Sequence, residues 1–339
     1  MTAASPQWSE PGCHEVAEGV YRIPLPLPND ALRAINVYAL TDGTDLVLID
    51  SGWALAESRK LLAEALATLG AELGDVREFL ITHIHRDHYT QAVALRREFG
   101  TKVSLGVGER PSLRLVADPG LDPLQAQLDG VRLGGGAELL AGLSEELSDE
   151  EPEIWEPPDE WLTPGRRSVL PGRELEVVAT PGHTDGHVVF VDGKANLLFS
   201  GDHVLPHITP SIGFQAAATE LPLKDYLGSL RVVREMPDRR LLPAHGPVTE
   251  SVHARVDELL THHRERLDSI LALVAAGATT AFETALRMGW TRRARKLPDL
   301  DPFNRMLAVL ETGAHLDVLT AQGKLTATEI DGVRYYRCA

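Results

Sequence analysis

Four side chains able to hold a metal ion or move a proton fall in one short run, Thr82-His83-Ile84-His85-Arg86-Asp87-His88. Imidazole and carboxylate together suit zinc, and less selectively iron or manganese. The cluster contains no cysteine, which argues against a closed structural zinc site or an iron–sulfur cluster. The chemistry they point to is catalytic. The run follows Phe79-Leu80-Ile81, read as a buried strand, so the polar groups stand just past a strand tip, where several can face one point. Alternation along an extended chain places His83 and His85 on one side. A helix starting near Asp87 would turn Asp87 and His88 toward a neighbouring position. That arrangement prepares two metals rather than one.

Two metals need more than four ligands, and the chain supplies further candidates at other strand ends. Thr180-Pro181-Gly182-His183-Thr184 follows the apolar stretch 175–179, Ser200-Gly201-Asp202-His203 follows 195–199, and Pro243-Ala244-His245-Gly246 follows 240–242. A lone His in such a turn is ordinarily a capping or surface residue. The same placement recurring three times outweighs that reading.

His-x-His-x-Asp-His, a Gly-His-Thr turn, Gly-Asp, then His245-Gly246, in this order over about residues 18–250, resembles the metallo-β-lactamase superfamily of hydrolases. The resemblance implies His83, His85 and His183 around a first metal, Asp87, His88 and His245 around a second, and Asp202 bridging them, with Asp87 and Asp202 taking part in catalysis. It implies two Zn2+, with iron or manganese as alternatives, and an α/β fold: a four-layer αββα sandwich with the metals at one edge between the sheets. Two cations about 3.5–4 Å apart would activate a bridging water as hydroxide and polarise the scissile carbonyl or phosphoryl, so no Ser or Cys nucleophile is needed. Asp87 could steer the proton of that hydroxide. The chain departs from the family pattern at Tyr89-Thr90-Gln91, where members commonly carry one residue and a Gly pair, which leaves the start of the following helix open.

The elements that must position these groups read as strands at 21–26, 35–40 and 45–50, with Asp42-Gly43 as a hairpin signal. Asp50-Ser51-Gly52 leaves the third strand. The resemblance makes Asp50 a buttress that hydrogen-bonds metal ligands without touching metal, and an ordinary cap for a helix over 54–69 is the plainer reading. A helix over 87–99 and a strand over 102–107 follow. Residues 109–165 are a Pro-rich insertion, with helices expected at 113–116 and 137–147, acting as a lid or as a surface excursion. Gly134-Gly135-Gly136 follows no strand and fits no nucleotide loop. Strands resume at 168–170, 174–179, 187–192 and 195–200, then a helix over 224–234. His203 and His207 stand close enough to Asp202 to contact substrate or simply to pack the loop.

A long helix over 249–275 carries His263 on its apolar stripe, as a core histidine rather than a ligand. Helices over 281–288 and 303–321 and a hairpin about Asp331-Gly332 follow. This order, with His262 and Arg266 in a His-x-x-x-Arg spacing, resembles the C-terminal winged-helix segment of the branch that contains β-lactamase-like endoribonucleases and thioesterases. The expected organisation is a metallo-β-lactamase domain over 1–275 and a small winged-helix-like module over 276–339.

The chain has 339 residues, 43% hydrophobic, and a formal net charge of −16, which disfavours a polyanion partner. The acidic run 145–151 and the basic island Arg292, Arg293, Arg295 and Lys296 read as solvated surface. Cys13 and Cys338 offer no disulfide framework; with no apolar run of membrane-spanning length and no signal-like start, the cytoplasm is the expected location. The function expected is hydrolysis of a thioester or other ester-like small substrate. The alternatives are RNA phosphodiester cleavage, a lactonase or iron oxygenase of the same superfamily, and a non-enzymatic partner-binding protein. The insertion is expected to govern substrate entry and the terminal module assembly, with a homodimer as the expected form.

Overall fold

The computed structural model describes residues 7–28, 32–43, 45–141, 154–291 and 294–339. A first sheet runs in chain order through β1 (His14–Ala17), β2 (Val20–Pro26), β3 (Ala34–Thr41), β4 (Leu46–Ile49), β5 (Val76–Ile81), β6 (Lys102–Gly106) and β7 (Glu160–Leu162). The first four strands form an antiparallel meander, and β4 to β7 are parallel. Parallel neighbours need crossovers, supplied here by α1 (Ala56–Ala67) and α2 (Arg86–Phe99). The second sheet has β8 (Gly165–Leu170), β9 (Arg173–Ala179), β10 (Val188–Asp192), β11 (Leu197–Gly201) and β12 (Arg240–Pro243), with α5 (Pro222–Glu235) crossing between the parallel pair β11 and β12.

Strands β4, β10 and β11 are buried at every position, and their near-continuous apolar sequences follow from that: each is covered on one face by helices and on the other by the opposite sheet. Three apolar layers result. Val20, Tyr38, Leu80, Val177, Phe190 and Phe199 fill the space between the sheets, with the Tyr38 ring edge-on to Phe199 at 5.3 Å. Ile23, Val37, Phe79 and Val103 pack outward against Leu62, Leu66, Ala92 and Leu95 of α1 and α2. Val189, Leu198 and Leu241 pack outward against α5 and the helices that follow. The architecture is the four-layer αββα sandwich.

Helix α2 begins at Arg86 and ends where Gly100 takes the left-handed conformation, φ 74°. The residues replacing the Gly pair are all buried, and they fasten the helix. Gln91 Nε2 donates to the Ser51 carbonyl at 2.7 Å, and the Tyr89 hydroxyl donates to the Glu156 carbonyl at 2.5 Å while its ring stacks on Trp155.

The stretch read as an insertion contains α3 (Arg110–Val116), α4 (Gln125–Leu133) and a 3-10 turn, Ala137–Leu139. Residues 142–153, including most of the helix expected at 137–147 and the acidic run, lie outside the described residues. One difference from the sequence reading is β7, which closes the edge of the first sheet from within this stretch. Three residues between Pro158 and Pro164 are too few for alternation to reveal a strand.

Helix α6 (Val252–Ala275) is capped by Ser251, whose Oγ accepts from Ala254 N at 3.0 Å. Then come α7 (Ala281–Arg287), α8 (Pro302–Ala321) and a hairpin of β13 (Leu325–Ile330) and β14 (Val333–Cys338). Asp331 and Gly332 both have positive φ, 49° and 77°, as a two-residue hairpin turn requires. Val309, Leu316 and Leu319 of α8 are buried in the same apolar cluster as Leu230, Val256, Leu259 and Ile270. Helix α8 also meets the insertion: Gly130 of α4 stands where a Cβ would lie 2.6 Å from Leu310. Cys13 and Cys338 are free thiols, and among the described residues no helix is long and apolar enough to cross a membrane. Arg292 and Arg293 lie outside the described residues.

Candidate metal centre

The seven side chains singled out in the sequence converge at one edge between the sheets, in two groups. His83, His85, His183 and Asp202 form one, and Asp87, His88 and His245 the other; within each group one ligand atom per residue lies within 4.8 Å of all the rest. In the first group, His85 Nδ1 is 3.0 Å from His83 Nε2 and 3.1 Å from His183 Nε2, and Asp202 Oδ2 is 3.5 Å from His183 Nε2. In the second, Asp87 Oδ2 is 3.6 Å from His88 Nε2 and 3.4 Å from His245 Nε2. Asp202 Oδ1 is 3.6 Å from His88 Nε2 and 3.3 Å from His245 Nε2. The two oxygens of Asp202 thus address the two groups separately.

The far nitrogen of each imidazole is tied to an acceptor. His183 Nδ1 donates to the Ser211 carbonyl at 2.8 Å, His245 Nδ1 to the Ala34 carbonyl at 2.8 Å, and His85 Nε2 to the Phe214 carbonyl at 3.3 Å. His88 Nδ1 donates to Asp50 Oδ2 at 2.9 Å, and His83 Nδ1 to Thr82 Oγ1 at 3.1 Å. With that proton fixed on the outside, every ring turns a lone pair inward, the tautomer a metal ligand needs. Asp50 does what the resemblance implied. It holds His88, and its Oδ1 accepts from the Thr82 backbone N–H at 2.8 Å.

His88 Nε2, His245 Nε2 and Asp202 Oδ1 are buried and have no hydrogen-bond partner. Three inward lone pairs, with Asp202 Oδ1 3.6 and 3.3 Å from the two nitrogens, cannot satisfy one another, whereas a cation among them would satisfy all three. The residues therefore fit divalent metal. The electrostatics agree. Burial and the neighbouring imidazoles hold His83 well below the usual histidine range; burial also lowers His85 and His183 to about 4, the neutral form that coordinates. Burial lowers His88 and His245 too, but the carboxylates of Asp50, Asp87 and Asp202 override it at His88, raising it to about 10. Asp202 and Asp87 raise His245 to about 9. A pocket that draws in protons this way draws in cations.

Residues not singled out as site residues in the sequence complete the support. His187 is buried, its ring stacked on His83 at 5.0 Å, and its Nε2 accepts from the Asp202 backbone N–H at 3.2 Å. Gly201 has φ 49° and lies so close that a Cβ would come within 2.7 Å of Thr82 and 2.8 Å of His187. A second His four residues after His183, itself preceded by Gly186, is the one sequence signal that could have pointed to His187. His203 packs: it is buried with its ring edge-on to Tyr226 at 5.3 Å. His207 is exposed on the following loop, and His263 is a buried core residue as expected. Among the seven, His85 and Asp87 are half-buried and the rest buried, so solvent reaches the centre on their side.

Residues 31–245 match the family described as Metallo-beta-lactamase superfamily. Over 331 residues, 91% of this chain and 95% of the relative, the sequence is 26% identical to the probable metallo-hydrolase YqjP of Bacillus subtilis (strain 168). It is also 26% identical over 244 residues to the atrochrysone carboxyl ACP thioesterase of Aspergillus fumigatus, covering 72% of this chain but 45% of that protein. Among solved structures, a beta-lactamase domain protein from Burkholderia ambifaria superposes with a TM-score of 0.82 at 27% identity, over 100% of this chain and 97% of that one. A metallo-beta-lactamase family protein from Thermus thermophilus gives 0.79 at 28%, over 96% and 100%. With a family match across well over half its length and a pocket of inward-facing imidazoles and carboxylates, the chain belongs to the metallo-beta-lactamase superfamily, as a metal-dependent hydrolase.

Proposed function

We propose that the protein is a dinuclear, zinc-dependent hydrolase acting on a thioester or other ester-like small substrate. The observation that carries the reading is Asp202, whose two oxygens each face a different group of inward-turned imidazoles. His83, His85 and His183 would hold one ion, Asp87, His88 and His245 the other, and Asp202 both. Such a pair supplies Lewis acidity for the scissile carbonyl and lowers the pKa of water toward neutrality. The chain does the rest. The carbonyls of Ser211, Ala34 and Phe214 and the carboxylate of Asp50 keep the imidazoles oriented, and the Asp87 carboxylate, half-buried at the open side, is placed to take a proton from attacking water.

The net charge of −16 weighs against an RNA substrate, and one relative carries the name of an acyl-carrier thioesterase. The cytoplasm remains the proposed location. The test is elemental analysis of protein never exposed to chelator, combined with a panel of acyl thioesters, lactones and RNA. The expected result is about two zinc ions per chain and fastest turnover on thioesters. One ion or none, or iron in place of zinc, would overturn the dinuclear zinc assignment, and preferred cleavage of RNA would overturn the substrate class.

A further inference from the structure

We infer that the open side of the metal centre is an acyl-binding site, walled by the loop 208–219 and by the C-terminal helix α8, and that the substrate carries an apolar acyl group of several carbons. The inference rests on the hydrolase reading above and names the substrate class of that same site.

The loop is fixed to the centre. Its Ser211 and Phe214 carbonyls accept from His183 and His85, so the loop backbone cannot move without disturbing two of the inward-facing imidazoles. Further bonds hold its far end: Gln127 Nε2 of α4 donates to the Gln215 carbonyl at 2.6 Å, and Gln215 Oε1 accepts from the Asp185 backbone N–H at 2.9 Å. What this rigid loop presents is the Phe214 ring, half-buried and 5.8 Å from the His85 ring, on the side from which solvent enters. Phe303, in the first turn of α8, meets Phe214 edge-on at 5.3 Å and 83° and is itself half-buried. Behind the two rings lie Met306 and Val131, fully buried, with Leu307 and Leu310 partly buried beside them. An apolar wall with a few polar groups at the reacting end is how small-ligand sites are ordinarily lined.

Charge points the same way. The loop 208–219 contains no charged residue, and Arg305, the one cation in the first turn of α8, is committed to the Leu300 and Pro298 carbonyls at 2.7 and 2.8 Å. The wall therefore offers an apolar chain a surface and a phosphate group none. It also gives the terminal helix a part in substrate recognition, where the sequence suggested assembly.

The test uses full-length, zinc-loaded protein with acetyl, hexanoyl and decanoyl thioesters, and titration calorimetry with decanoate. The wild type is expected to prefer the longer chains. Phe303→Ala is expected to lower the decanoyl-to-acetyl ratio of kcat/KM about tenfold, mainly through KM, and to weaken decanoate binding. Phe303→Trp, which fills the wall, shifts the preference toward hexanoyl and guards against a folding defect in the alanine variant. Thioester cleavage with no dependence on chain length, and a decanoate affinity indifferent to Phe303, would overturn the inference while leaving the hydrolase reading standing. Decanoate binding that depends on Phe303 in a protein that cleaves no thioester supports the wall and overturns the reading on which its catalytic role rests.

Discussion

Glu109 accepts the hydroxyl hydrogen of Thr184, and the same carboxyl oxygen accepts from the Ile84 backbone N–H at 3.4 Å. Thr184 follows His183, and Ile84 stands between His83 and His85. One buried side chain on the turn after β6 therefore joins the two loops that carry the first group of imidazoles. Glu109→Ala removes the joint and is expected to weaken metal retention by the first group of ligands about tenfold, the usual effect of losing an outer partner. Glu109→Gln keeps an accepting oxygen and should restore most of it. Competition with a graded series of chelators measures both; equal metal affinity in all three proteins would show the joint to be idle.

Burial pushes the Glu109 carboxyl up from 4.5 to about 8, so the folded state favours its protonated form. The stability it contributes is fully present below its ordinary pKa of 4.5 and is lost as pH rises through about 8. Wild-type unfolding free energy should therefore fall relative to Glu109→Gln as pH is raised across that window. Urea titrations at several pH values test the sign, and parallel curves would refute it.

The opposite sign is expected at a second buried pair. His263 Nδ1 donates to His315 Nε2 at 3.2 Å, and His315 Nδ1 donates to the Glu311 carbonyl at 2.7 Å, so His315 must be neutral to accept; His263 Nε2 is buried without a partner, so a proton there would be a stranded donor. Burial lowers each to about 3. Their contribution is present above the ordinary value of 6.5 and is lost as pH falls toward the folded pKa, because the unfolded chain then binds more protons. His315→Gln leaves one titrating ring in place of two, so the loss of stability between about pH 6 and pH 4 should become shallower. An unchanged acid limb would mean that other groups govern it.

The ligand candidates were legible because each stands directly after an apolar strand run, and a strand end is where a sheet can offer side chains to one point. Asp50 was legible for the same reason. Glu109 was not: it is one acid among many in the sequence, and only the crossing of β6 beside the His183 loop brings it under Ile84. Phe214 was equally hidden, since its closeness to His85 depends on a loop with no periodicity. The helix over 303–321 was legible as an element, but a helix read from sequence does not name what its buried face meets, and here the partners include α4, α6 and α7. The metal centre is thus readable from sequence to the extent that its ligands are local to strand ends, and unreadable where distant loops support them.

Asp202→Ala is expected to abolish turnover while leaving the fold in place. The side chain is buried at the meeting of both groups, yet none of the three apolar layers of the sandwich depends on it. Its loss takes an oxygen from each group, so metal content should fall along with activity. Far-ultraviolet circular dichroism close to wild type, with turnover at background, is the expected pair of results. Turnover near wild type would show that Asp202 does not connect the two groups.

A chain ending after Gly277 should lose most of its stability rather than shed an independent module. Leu316 and Leu319 are 0% exposed and Val309 1%, and all three are buried in the cluster that includes Val256, Leu259 and Ile270 of α6. Burial of such side chains contributes about 1.5–3 kcal/mol each. Three of them alone therefore amount to about 5–9 kcal/mol, against a total of about 5–15 kcal/mol for a typical folded chain. The cut would also bare the face of α6 that carries His263 and remove Phe303 from beside Phe214. The truncated protein is expected to be aggregated, or to unfold at a much lower urea concentration, with tertiary circular dichroism weakened first. A truncated chain that kept the wild-type midpoint would establish residues 278–339 as a separate folding unit and remove the basis for placing α8 in the wall of the site.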